Sequence, residues 1–107
     1  MKINILGAEY DFIETTDTDD PRLVHVDGVH LRYTKEILIE KNVLRHDSGD
    51  DIQTVRSERI KQVKRHELIH AFFLQSGLEE YSNNEQLVSW LAIQLPKIIQ
   101  AIKEVGG

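Results

Sequence analysis

The sequence predicts an α+β domain, a small antiparallel or mixed sheet followed by two long helices. Three observations predict it. Residues 2–40 hold short runs in which apolar and polar residues alternate between turn residues. Residues 52–104 carry apolar residues at helical spacing. Strands come first and helices second, an order that suits segregated layers better than repeated βαβ units. At 107 residues the chain is sized for one domain over 1–107 with one core.

Lys2 to Leu6 alternates and ends at Gly7, which reads as a first strand. Tyr10, Phe12 and Ile13 mark a second extended piece, and Thr15 to Pro21 is a polar, acidic loop. Leu23 to Val26 reads as a short strand, Asp27-Gly28 as a turn dipeptide and Val29 to Tyr33 as the returning strand, a hairpin over 23–33. Glu36 to Glu40 is a further strand, and Asn42 to Asp51 is mostly loop. A long helix is expected from about Ile52 to Ser76, with Gly77 as its stop. A second is expected from Asn83 to Glu104, with Leu87, Val88, Leu91, Leu95, Ile98, Ile99 and Ile102 on its apolar face. Pro96 should kink or split it.

The first helix carries His66-Glu67-Leu68-Ile69-His70. Positions i and i+4 share one helix face, so two imidazoles can reach one metal ion. Glu67 is placed to hold a water as general base, the H-E-x-x-H logic of zinc peptidases. The bland alternative is an amphipathic helix with two surface histidines. Val63, Leu68, Ile69, Phe72 and Phe73 continue the apolar pattern around the motif, which predicts a largely buried helix. Buried imidazoles and a buried carboxylate need partners, and a Zn2+ ion supplies one for all three.

Catalytic zinc usually takes three protein ligands. Beyond His70 the carboxylates are Glu79, Glu80, Glu85 and Glu104. A helical hairpin brings Glu85 back toward His66 and His70, making it the favoured third ligand. Ser82-Asn83-Asn84-Glu85 also fits a capping box, with Ser82 as N-cap and Glu85 reaching back, a structural role of about 1 kcal/mol. His30 and His46 are alternative ligands, each more commonly a lone histidine. Tyr33, Tyr81 and His30 are the candidate donors to an oxyanion, and packing is the ordinary role of both tyrosines.

Composition excludes several classes. The chain has no cysteine, which leaves no disulfide and no thiolate ligand. A net charge of −5 speaks against direct, sequence-independent nucleic-acid binding. Lys61, Lys64 and Arg65 read as the solvated face of the helix. No long apolar run predicts a membrane span, and the apolar stretch at the N-terminus is too short for a signal peptide. A cytoplasmic setting is expected.

Arg65-His66-Glu67-Leu68-Ile69-His70-Ala71-Phe72-Phe73, with Ser76-Gly77-Leu78 after it, resembles the R-H-E-x-x-H-A-F-L…S-G-L signature of small phage and prophage proteins from Firmicutes. Asn84 to Ile98 is similar to their N-E-E-x-V-x-W-x-A-x-Q-x-P-K pattern, and Asp27-Gly28 with Lys35 to Ile39 to their D-G-x…I-x-I stretch. Such proteins look like minimal relatives of the ImmA/IrrE metallopeptidases, within the gluzincin-type zinc peptidases. The resemblance implies zinc on His66 and His70, water activation by Glu67 and a glutamate ligand from the following helix, where Glu85 matches. It implies that the strand around Ile37 to Ile39 lines the cleft and accepts an extended substrate as an added strand. It also implies a peptide or protein substrate, and the host-cell cytoplasm as the setting. The additional C-terminal domain of the larger ImmA/IrrE proteins has no counterpart in this sequence. The alternative is a zinc-binding module that works by association with a host or phage protein.

Overall fold

The computed structural model describes residues 1–107. Four strands form one mixed sheet: β1 (Lys2–Ile5), β2 (Ala8–Thr15), β3 (Gly28–Leu31) and β4 (Glu36–Glu40), in spatial order β1-β2-β4-β3. Leu6 and Gly7, both at positive φ, close the β1–β2 hairpin. β2 and β4 run parallel, with Phe12 beside Ile37 and Ile13 beside Leu38. β3 returns antiparallel on the far side of β4, with Val29 beside Leu38. Ile37, Leu38 and Ile39 are therefore sealed in the middle of the sheet.

The hairpin expected over 23–33 lies elsewhere. Pro21–Leu23 is a single 3-10 turn, opened by Asp20 accepting from the Arg22 amide. Proline at the first position has a fixed φ suited to that turn. Leu23 is buried as a plug. The observed hairpin is β3–β4, and it turns through Arg32–Lys35, with Lys35 at positive φ.

Three helices follow: α1 (Ile52–Gln75), α2 (Glu79–Ser82) and α3 (Glu85–Glu104). α1 ends in a Schellman motif. The Gly77 amide donates to the Leu74 carbonyl and the Leu78 amide to the Phe73 carbonyl, while Gly77 takes a φ of 75°. α3 runs unbroken through Pro96 rather than splitting there. Its N-cap is Asn84, whose side chain accepts from the Leu87 amide.

The core lies between α1 and the sheet, around Ile5, Tyr10, Ile37, Ile39, Val63 and Ala71. α1 is less buried than its sequence suggests. Val63, Glu67, His70 and Ala71 are its buried residues, while Leu68, Ile69 and Phe73 are only half-buried and Phe72 is 44% exposed. These four line an apolar groove against Leu91 and Leu95 of α3, and of them Leu68 also packs against the core. No helix is long and apolar enough to cross a membrane.

Candidate metal centre

α1 presents Val63, His66, Glu67 and His70 along one face. Opposite them lies β3, an edge strand, and between the two runs a cleft of about 630 Å³. The close approach depends on Gly28, where a Cβ would stand 2.6 Å from Val63 Cγ1 and 3.0 Å from Glu67 Cγ. β4 was expected to receive an added strand, but it is paired on both sides; the free edge beside the cleft belongs to β3.

Three donor groups converge at the cleft. His66 Nε2 lies 3.0 Å from Glu85 Oε2, and His70 Nε2 lies 2.9 Å from Glu85 Oε1. The two Nε2 atoms are 3.2 Å apart. Tetrahedral ligands about 2.0–2.1 Å from an ion sit roughly 3.3 Å from one another, so the spacing suits a single divalent cation. The chemistry of the donors agrees. Glu85 can only accept, and the two imidazoles bring their Nε2 atoms together. Without an ion each Nε2–H can donate to its own Glu85 oxygen; with one, the two Nε2 lone pairs and the carboxylate can share it. A cation at the centre satisfies all three donors, and His66, His70 and Glu85 form a group able to hold one.

Of the two roles weighed for Glu85, the capping box is not formed. Asn84 caps α3, so Glu85 is the first helical residue and its carboxylate is not drawn into a capping box. An acidic side chain in the first turn also suits the helix dipole. Ser82, expected as the cap, is buried instead beneath His70. Its hydroxyl donates to the His70 carbonyl at 3.0 Å, leaving its oxygen 3.5 Å from His70 Nδ1. That oxygen can accept an N–H from Nδ1, the tautomer that leaves the Nε2 lone pair toward the centre.

Glu67 is 6% exposed and lines the cleft, and its carboxylate is not a sealed, orphaned group. Burial, and secondarily the Glu85 charge, push its carboxyl up to about 7. Burial and the nearby His70 charge hold the His66 imidazole below its ordinary range, against the pull of Glu85.

The three expected oxyanion donors separate clearly. Tyr33 is 89% exposed in the β3–β4 turn, under the Arg32 guanidinium. Tyr81 is 49% exposed and packs against Phe73. Neither lines the cleft, whereas His30 of β3 does. Its Nε2 lies 3.2 Å from the hydroxyl of fully buried Tyr10, which accepts from the Gln75 amide at 2.8 Å. With the Tyr10 oxygen accepting from Gln75, the phenolic proton is available to His30 Nε2, an arrangement that places the His30 proton on Nδ1. Burial above all, then the His70 and Arg32 charges, lower the His30 imidazole to about 4.

Of the remaining candidates, Glu79 is paired with Arg32 at 2.7 Å, Glu80 is exposed, and Glu104 closes the far end of α3. His46 lies in the exposed 42–51 loop, beside a separate small pocket. Sequence reasoning missed Gly28, Ser82, Tyr10 and Gln75 as parts of the site. Asp27-Gly28 and Ser82 carried local signals, but these pointed to a turn and to a helix cap. Comparison with protein-family models, with curated proteins and with solved structures gives no match.

Proposed function

We propose that the protein is a zinc-dependent endopeptidase-type hydrolase, a minimal relative of the ImmA/IrrE metallopeptidases. The observation that carries this reading is the convergence of His66, His70 and Glu85 beside a buried Glu67 that lines the same cleft. His66, His70 and Glu85 would hold the ion. Bound there, zinc supplies Lewis acidity, which acidifies water and polarises a carbonyl. Glu67 takes the proton of the attacking water and hands it to the leaving amine. A buried carboxyl whose environment raises its proton affinity is suited to taking up and handing on a proton. His30, neutral and carrying its proton on Nδ1, is the donor available to the developing oxyanion. An extended peptide adds to the free edge of β3, hydrogen-bonding with its backbone as a strand would.

The test is cleavage of unstructured peptides and candidate repressor proteins by the zinc-loaded chain. Glu67→Gln should keep zinc and fold while losing cleavage, and His70→Ala should lose stoichiometric zinc by elemental analysis. Cleavage that survives Glu67→Gln ends the general-base assignment, and zinc that survives His70→Ala places the ion elsewhere. A second reading, a zinc-binding module acting by association, draws on the exposed apolar groove of α1 and α3. Zinc binding with no cleavage of any substrate favours it.

A further inference from the structure

Arg65 directly precedes His66, yet it lies in the groove between α1 and α3 rather than in the cleft. It is not the solvated residue its charge suggests. Its Nε donates to the carbonyl of Ala92 at 2.6 Å. Ala92 is fully buried and stands four residues before Pro96. In a regular helix the amide of residue 96 would donate to that carbonyl, but proline has no N–H. A buried carbonyl without a donor is costly, so the guanidinium fills the place Pro96 leaves open. The bond is charge-assisted and directional.

The position of this bond matters for the metal centre. α1 supplies His66 and His70, and α3 supplies Glu85 as its first residue. Glu85 and Ala92 are two turns apart, about 10 Å along the axis. Val88 and Ala92 are the buried residues of α3, and beside them Leu68, Ile69 and Phe72 of α1 and Leu91 and Leu95 of α3 line an open groove rather than a closed seam. Side chains that line an open groove are not fully interlocked, so apolar packing alone holds the axial register of the two helices less firmly than a directional bond does. A slide of a single residue is 1.5 Å, whereas metal–ligand distances tolerate about 0.2 Å.

The geometry points to Arg65 as a positioning residue of the metal centre: by holding the carbonyl that Pro96 frees, it fixes the axial register of α3 and keeps the Glu85 carboxylate on His66 and His70. The inference rests on the metal-binding reading above. Pro96, expected from the sequence as a break, is then the residue that creates the docking point.

The test is a double-mutant cycle on the full chain. Zinc affinity is measured by competition with a chromophoric chelator, and ligand geometry by the visible absorption of the Co2+-substituted protein. Arg65→Met should weaken zinc about 10–100-fold and move the Co2+ spectrum toward that of Glu85→Gln. In the Glu85→Gln background the same change should cost less than about twofold, because Arg65 acts through Glu85. Arg65→Lys should recover part of the affinity through its single donor. If Arg65→Met does not fold, Pro96→Ala is added to give Ala92 its own helical donor; the loss of zinc affinity should persist in the folded double variant. Unchanged affinity and spectrum in Arg65→Met, or an equal loss in both backgrounds, overturns the positioning role alone. Wild-type protein that binds no zinc overturns the metal reading and this inference together.

Discussion

Glu67 packs directly on Gly28: a Cβ at that glycine would stand 3.0 Å from Glu67 Cγ and 2.6 Å from Val63 Cγ1. The edge strand and the helix bearing the histidines meet where one partner has no side chain, and that contact sets the width of the cleft. Gly28→Ala should therefore push α1 away from β3. The expected loss is about 1–3 kcal/mol, in the range of overpacked cores, read by chemical denaturation. Zinc affinity should fall with it in the folded fraction. A variant of wild-type stability would mean that the helix and strand are free to separate.

The two helices were legible because their signals are local. Helical spacing, Gly77 and the i, i+4 histidines all lie within a few turns of one another. The sheet was legible only as a set of strands. Its pairing of β2 with β4 joins residues 25 apart, as Phe12 with Ile37, and no short-range pattern records that. The 23–33 hairpin failed for a chemical reason. Leu23-Val24-His25-Val26 reads as a short strand because it is mostly apolar and β-branched, but Pro21 and the Asp20 cap commit its start to a turn. Asp27-Gly28 looked like a turn because glycine serves turns; here it serves close packing, and the Asp27 side chain binds Arg59 at 2.9 Å. At the site, ligand spacing was visible while the supporting shell was not. Tyr10, Gln75 and Ser82 reach His30 and His70 only through the tertiary fold.

Ser82→Ala tests the support under His70. The hydroxyl donates to the His70 carbonyl and its oxygen faces Nδ1. Removing it leaves the imidazole free to carry its proton on Nε2, where the ion should bind. Zinc affinity should fall about tenfold, as for other ligand-orienting groups. The fold should persist, since alanine fits the same buried space. An unchanged dissociation constant would show that packing alone orients the ring.

Glu67 should also govern how the metal-free protein responds to pH. Its carboxyl ionises near 7 in the fold, against about 4.3 in an unfolded chain. The folded state thus holds this proton more tightly. Stability from the group is full below about pH 4, falls as pH rises toward 7 and is flat above, a loss of at most about 4 kcal/mol. Glu67→Gln should therefore stabilise chelator-treated protein at pH 8 and leave its stability near pH 4 unchanged. Denaturant titrations of both proteins at the two pH values measure the difference. An equal difference at both values would remove burial of the carboxylate as the cause.

Tyr10→Phe addresses the hydrogen-bond order behind His30. The Gln75 amide donates to the Tyr10 oxygen, so the phenolic proton is available to His30 Nε2, an arrangement that places the ring proton on Nδ1. Phenylalanine fills the same space but leaves the Gln75 donor and the His30 acceptor without partners. The cost should be about 1–3 kcal/mol, the usual penalty for stranded polar groups. The more specific consequence is at the ring. Without the phenol, Nε2 becomes free to take the proton, and ¹⁵N shifts of the His30 imidazole should move from one tautomer to a mixture at neutral pH. Because His30 ionises only near pH 4, that change is a relocation of one proton and not a protonation, so it should appear equally at pH 6.5 and pH 8. An imidazole that keeps its proton wholly on Nδ1 in Tyr10→Phe would mean that the cleft, and not the buried phenol, sets the donor.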